Sequence, residues 1–191
     1  MTVPIICPFT SLRPETKAAL ENESVIYVDV SSSENDYWGL LAAIWQTQKG
    51  VILVEHDIVP QNGAISSLQE CSYDWCGCPY LVGRNFVVDL GLTKFSPEIM
   101  KVYPDAIERM ETHHWKSLDG QLLGYLRPLR GAGPHWHWPA ARHLNDCGDE
   151  SRVLANCGEC GGPLRFDDLK AGPNNTLCTR CGKHTNYFSH G

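Results

Sequence analysis

The sequence predicts an α/β protein whose mostly parallel sheet is flanked by helices, followed by a small module held by metal. Two observations carry that expectation. Short, almost wholly apolar segments alternate with helical segments over residues 3–55, as strands buried on both faces require. Two Cys-x-x-Cys pairs stand near the C-terminus at the spacing of a metal site. A chain of 191 residues has room for one domain of ordinary size and a small appendage. The expected division is 1–148 and 149–191.

Val3 to Cys7 reads as a short strand ended by Pro8, and Arg13 to Leu20 as a helix with Pro14 in its first turn. Val25 to Val30 is a second strand. Asn35 or Asp36 can cap a helix that runs to about Gln48, with Leu41, Ile44 and Trp45 on its buried side. Gly50 ends that helix, and Val51 to Glu55 is a third, fully apolar strand with an acidic last residue. Parallel sheets of this kind gather ligands at the carboxyl ends of their strands. The third strand runs there into Glu55-His56-Asp57. On an extended chain Glu55 and Asp57 share a face and His56 points away. Two carboxylates at one sheet mouth repel each other unless a cation lies near, and an oxygen-preferring divalent ion, Mg2+ or Mn2+, suits them. The alternative is a pair of solvated loop acids.

At the other end, Cys157-Gly-Glu-Cys160 and Cys178-Thr-Arg-Cys181 are each followed by glycine. Two such turns present four thiolates to one tetrahedral Zn2+, whose binding supplies the folding free energy that so small a segment lacks. The reading is a zinc ribbon, with a redox dithiol pair as the alternative. Arg165, Lys170, Arg180 and Lys183 make a nucleic-acid clamp one of its open roles, beside protein docking and simple capping. Cys71, Cys76 and Cys78 leave two readings: a second metal site completed by Cys147 or a histidine, or buried reduced thiols. Trp136 and Trp138 alternate with His135 and His137, which fits a strand burying its indoles in the core better than base-stacking residues.

Charge is uneven. Residues 1–120 hold 8 Lys and Arg against 16 Asp and Glu, and residues 121–191 hold 8 against 6. A formal net charge of -6 excludes a surface coated with basic residues, so contact with nucleic acid has to be local. No apolar run approaches the roughly 18 residues that span a bilayer, and the N-terminus lacks the pattern of an export signal. The expectation is a cytoplasmic protein without membrane contact, whose nine cysteines stay reduced.

Several of these segments together resemble glycosyltransferases of the GT-A fold. The run Val51-Ile-Leu-Val-Glu-His-Asp-Ile-Val-Pro60 looks like their strand and acidic "DXD" element, in a Glu-x-Asp version. Val28-Asp29-Val30-Ser31-Ser32 approximates the Val-Asp-x-x-Ser end of their second strand. Trp115 to Arg127, with Asp119, resembles the helix that carries the catalytic acid. Gly133 to His143 looks like the late strand, proline and metal-binding histidine of inverting members. The likeness covers about residues 3–145 and is nearest in look to small glycosyltransferases of tailed phages, including the Leu-Gly-Leu-Thr-Lys-Phe block.

The resemblance implies a GT-A-like (Rossmann-like) sheet and hexose transfer from a nucleotide sugar, a UDP-sugar by preference, with inversion. It implies Asp57 as ligand of a catalytic Mn2+ or Mg2+ and Glu55 beside the ribose or donor sugar. His143 would be a further metal ligand, with His135 and His137 as rivals. Asp119 would be the base that deprotonates the acceptor, unless it only caps its helix. Asp29 would accept from the pyrimidine imide, and Pro8 and Thr10 would hold the base. The acceptor so implied is 5-hydroxymethylcytosine or another 5-hydroxymethylpyrimidine in phage DNA, within the host cytoplasm. A protein or glycan acceptor, or a noncatalytic zinc-ribbon binding module, is the alternative. Many members carry two consecutive acids where this chain has Leu118-Asp119, and the domain is short for the fold, which leaves an open acceptor face.

Overall fold

A computed structural model describes residues 2–82, 85–138, 140–144, 153–157, 159–165, 176–178 and 180–185. Its elements are β1 (Ile5–Phe9), α1 (Pro14–Ala19), β2 (Val25–Asp29), α2 (Asp36–Thr47), β3 (Val51–Val54) and β4 (Ile58–Val59). Next come α3 (Ala64–Glu70), β5 (Trp75–Gly77), β6 (Tyr80–Val82), β7 (Asn85–Val87), β8 (Leu92–Phe95) and α4 (Pro97–Val102). A 3-10 turn (Trp115–Ser117) leads into α5 (Leu118–Arg130), followed by β9 (His135–Trp136) and β10 (Arg142–His143). The C-terminal part contributes β11 (Val153–Asn156), β12 (Pro163–Arg165), β13 (Thr176–Leu177) and β14 (His184–Thr185).

Six strands form one sheet in the order β2-β1-β3-β8-β5-β9. β1 pairs in parallel with β2 and β3, and β5 in parallel with β9, while β8 is antiparallel to both β3 and β5. Five of the six strands therefore point the same way, a mostly parallel sheet compatible with a GT-A-like arrangement. β3 explains why it needs two covering layers. Val51 and Leu53 join the core formed with Leu41, Trp45, Ile99, Leu122 and Leu126 of α2, α4 and α5. Ile52 and Val54 join the opposite core with Ile65 and Leu68 of α3. All four are at most 1% exposed, so the uniform apolarity of the strand is the two-faced burial of a central strand.

Helix ends follow from local chemistry. At the start of α2 the Asp36 carboxylate accepts from the Ser33 amide at 2.9 Å, and the Ser33 hydroxyl accepts from the Asn35 amide at 3.2 Å. At its end Gln48 turns left-handed, at φ 52°, and Gly50 follows at φ 78° to enter β3. Ser96 caps α4 by accepting from the Glu98 and Ile99 amides, with Pro97 at the first helical position. Among the described residues no helix is long and apolar enough to cross a membrane.

Trp136 departs from its expected place: it is 39% exposed on the sheet's edge strand, so it is not a core indole. Trp138 is half-buried with its ring edge-on to Phe86. Leu53→Ala would open a cavity between two covered faces and is expected to cost about 2–5 kcal/mol, measured by urea unfolding. Val102→Ala, at a 66% exposed position, is expected to change stability by less than about 0.5 kcal/mol.

Candidate active site

At the carboxyl ends of β1, β2 and β3, segments far apart in sequence surround a cleft of about 700 Å3. Pro8 and Thr10 line it from the end of β1, Val30, Ser33 and Glu34 from the end of β2, and Glu55, His56 and Asp57 from the end of β3. The extended chain of β3 stops at Val54, because the Ile58 amide donates to the Glu55 carbonyl at 3.0 Å and turns the chain. Alternation is lost there, and His56 faces the same cleft as Glu55 and Asp57 instead of pointing away. The turn also separates the two acids into different surroundings.

Asp57 meets His143. After the turn, β4 pairs antiparallel with β10, placing His143 opposite Ile58, and the Leu144 amide donates to the Asp57 carbonyl at 2.9 Å. The imidazole Nε2 lies 3.2 Å from Asp57 Oδ2, and the His143 ring is 5.5 Å from the Tyr80 ring. Burial raises the Asp57 carboxyl, but the hydrogen bond and charge of His143 and the charge of His56 outweigh it and hold the acid below the ordinary aspartate value. His56 itself is lowered, first by burial. One carboxylate oxygen and one imidazole nitrogen at this separation fit a divalent ion that accepts both donors. Mn2+ suits the mixture better than Mg2+, which favours oxygen alone.

Glu55 turns instead to a second acidic group. Tyr37, on the first turn of α2, donates its hydroxyl to Glu55 Oε1 at 2.9 Å. Asp119 is the second residue of α5, whose cap position is Ser117, so its carboxylate does not cap its own helix. It accepts from the Leu90 amide at 2.9 Å, across the cleft wall. Burial, then the charge of Asp119, pushes Glu55 well above the usual range, with smaller contributions from Asp57 and Asp89. Burial and the nearby Asp89 raise Asp119 from 3.8 to about 6, against the Leu90 amide. Asp89 is raised by burial, with Arg127 opposing. A carboxylate poised near neutrality can both hold and take a proton at ordinary pH.

Other expected residues fall elsewhere. Asp29 is exposed and occupied in a turn, where it accepts from the Ser31 amide at 2.9 Å; it does not line the cleft. His135 and His137 share a side as expected, with rings 4.9 Å apart, but β9 pairs with β5 and carries them away from the cleft lining. Of the three candidate histidines, only His143 reaches Asp57. Tyr37, Asp89, Tyr80, Trp115 and Lys116 also line the cleft and are absent from the sequence-based expectations. Asp89 had one available signal, a lone acid between the apolar runs Phe86-Val-Val and Leu90. Tyr37 reads as an ordinary helical position.

In the C-terminal part, Cys157, Cys160, Cys178 and Cys181 bring four sulfurs within 4.8 Å of one another. Cys157 and Cys181 are 3.9 Å apart and Cys160 and Cys178 3.7 Å. A tetrahedral Zn2+ with bonds of about 2.3 Å separates its sulfurs by about 3.8 Å, so the donor set fits that ion. Each knuckle closes in the same way: Gly161 donates to the Cys157 carbonyl and Gly182 to that of Cys178, both at 2.8 Å, with both glycines at positive φ. Amides of Cys160 and Glu159 lower the Cys157 thiol to about 7. Lys170 and Cys147 lie outside the described residues.

Neither a family model nor a curated protein sequence matches the chain. Among solved structures it is similar to A197 from STIV, at 14% identity and a TM-score of 0.40, over 58% of this chain and 69% of that one. It is also similar to a glycosyltransferase involved in the glycosylation of the major capsid of PBCV-1, at 8% identity and a TM-score of 0.48, over 75% and 94% of the two chains. At these values neither likeness assigns an activity.

The raised Asp119 makes a prediction about stability. The folded protein keeps this proton where the unfolded chain has lost it, so the folded state is favoured at low pH and loses that advantage between about pH 4 and 6. Urea midpoints at constant ionic strength are expected to fall over that interval and to fall less in Asp119→Asn. Were the cleft to take Mn2+, the ion would compete with protons there and would raise the wild-type midpoint more at pH 7 than at pH 5.

Proposed function

We propose that the protein is a metal-dependent glycosyltransferase that moves a hexose from a nucleotide sugar, by preference a UDP-sugar, to a hydroxyl acceptor with inversion. The observation that carries this reading is the convergence of Glu55, Asp57, Asp119 and His143 on one cleft at the carboxyl ends of parallel strands. Asp57 and His143 would hold Mn2+ or Mg2+, which supplies positive charge to the leaving diphosphate. Pro8 and Thr10 offer a wall for the nucleoside base, and Glu55, steadied by Tyr37, offers a carboxyl to donor hydroxyls. Asp119 takes the proton of the acceptor hydroxyl while the acceptor oxygen bonds to the anomeric carbon. The bond from that carbon to the phosphate oxygen breaks, and the nucleoside diphosphate leaves with the electron pair. Attack opposite the leaving group inverts the anomeric centre. The four C-terminal cysteines would hold a structural Zn2+.

For the acceptor we propose a 5-hydroxymethylpyrimidine in DNA, 5-hydroxymethylcytosine first. Support comes from the cleft rim, where Trp115 is 48% exposed and Lys116 lies 5.3 Å from the centre of its ring, a stacking surface beside a cation. A glycan or protein acceptor is the second reading, favoured by the acidity of the cleft itself, which offers a polyanion no general attraction. Incubation with Mn2+, a panel of UDP-sugars and either modified DNA or glycan acceptors, followed by product mass spectrometry, separates the two. Glycosylated nucleosides support the first, and donor hydrolysis with unchanged nucleosides overturns it.

Asp119→Asn is expected to lower kcat/KM by about 10²–10⁴ with little change in donor binding. The wild-type profile is expected to lose activity below about pH 6, where Asp119 keeps its proton, and the residual activity of the variant should lack that limb. Asp57→Ala is expected to abolish Mn2+-dependent binding of UDP in calorimetry. A noncatalytic binding module would instead retain its ligand in both variants and turn over no donor.

A further inference from the structure

We propose that Cys71, Cys76 and His137 form a second zinc site, on the sheet edge and separate from both the cleft and the four C-terminal cysteines. Their two sulfurs and one imidazole nitrogen all lie within 4.8 Å of one another. Bonds of about 2.3 Å to sulfur and 2.0–2.1 Å to nitrogen need ligand atoms about 3.5–3.8 Å apart, within reach of small side-chain rotations. Three different backbone devices bring them together. Cys71 ends α3, Cys76 lies in β5, and the parallel pairing of β5 with β9 is extended when the His137 amide donates to the Gly77 carbonyl at 2.9 Å.

A second observation points independently to a ligand. The Nε2 atom of His137 is shut off from solvent and has no hydrogen-bond partner among the described residues. A buried polar atom without a partner is costly, and a metal bond would satisfy it. Lys94 adds the right charge. It is 5% exposed, sits opposite Cys76 in the β5–β8 pairing, and donates its ammonium to the Cys71 carbonyl at 2.6 Å. Burial, then Cys71, holds the Cys76 thiol well above its ordinary value, and the Lys94 charge opposes this. On binding, the two thiol protons pass to solvent, and two thiolates balance the ion's charge. Cys78 stays outside the set, with its sulfur directed at the Ala64 carbonyl. His135 is stacked on Tyr73 at 4.0 Å and flanks the site. Cys71 is half-buried, which leaves the fourth position of a tetrahedral ion to water. Thiolate and imidazole donors select zinc over the harder Mn2+ or Mg2+ of the cleft, so this site is independent of the glycosyl-transfer reading.

Metal content of the full chain, purified under reducing conditions, tests the site. Wild type is expected to carry one more zinc per chain than either His137→Gln or Cys71→Ser, both conservative changes at half-buried positions, with unchanged far-ultraviolet circular dichroism. A Cys157→Ser/Cys160→Ser double variant should still take up Co2+ with the visible bands and thiolate charge transfer of a tetrahedral site. Those bands should vanish when His137→Gln is added. Equal zinc in wild type and both single variants overturns the proposal. So does a double variant without tetrahedral Co2+ bands, or a Cys71–Cys76 disulfide whose reduction brings no metal uptake.

Discussion

Crowding of carboxylates in a cleft with apolar walls is the constraint on which the rest of this structure turns. Glu55, Asp57, Asp89 and Asp119 all face one space, and the raised Glu55, Asp89 and Asp119 are the direct result of taking such groups out of water together. The fold compensates locally, with the Tyr37 hydroxyl on Glu55, the Leu90 amide on Asp119 and His143 on Asp57. Among the described lining residues the cationic side chains are Lys116 and the titratable His56 and His143, too little to balance five acids once Glu34 is included. The raised carboxyls make up part of the difference with protons, for which a divalent cation, under the proposed function, would compete. Such an exchange would suit the proposed reaction, in which negative charge appears on a leaving diphosphate.

The backbone keeps the two halves of this acidic space apart. A turn at 55–58 ends β3 one residue early and sends Asp57 toward β10, while Glu55 remains over α2 and α5. Gly91 lies beside Glu55, just before β8. Its carbonyl accepts from the Glu55 amide at 2.9 Å, and a Cβ at this position would lie 2.7 Å from the Tyr80 ring, so only glycine lets that ring lie against the chain. Tyr80 in turn stands beside His143. Position of the metal-ligand candidates thus depends on strand ends and one close approach, more than on the helices that dominate the core.

Periodicity made the first half of the sheet legible. β1, β2, α2 and β3 lie within two residues of where their apolar patterns place them; β3 is apolar throughout because a central strand buried on both faces cannot look otherwise, whereas β2 is an edge strand that leaves Ile26 54% exposed. The acidic pair after β3 was legible as a place, though its facing was not: alternation says nothing about a turn closed by one amide, and so His56 was expected on the wrong side. Tyr37 could not be read, since its partner lies on another element and no local pattern marks it, and Asp89 showed only as a lone acid among apolar residues. Among the three histidines, sequence spacing put His135 and His137 on one side and left His143 distinct, yet only the β4–β10 pairing decides which reaches Asp57. Cys-x-x-Cys spacing, by contrast, encodes its geometry locally, and the knuckle hydrogen bonds repeat it in both turns.

Donor chemistry divides the molecule in a way the overall charge of -6 does not express. Oxygen and two imidazoles gather at the cleft, sulfur with one imidazole at the sheet edge, and sulfur alone in the C-terminal part. Hard and soft ions would sort themselves among these sets with little competition, since thiolates hold zinc far better than manganese or magnesium. Such sorting would matter for a chain whose cleft takes an exchangeable ion, as the proposed function has it. A cleft rich in carboxylates with two histidines would also accept zinc, and thiolate sites of higher affinity on the same chain would fill first. Zinc would then serve folding, while the weaker, more exchangeable ion serves the reaction, where it must arrive and leave with the diphosphate.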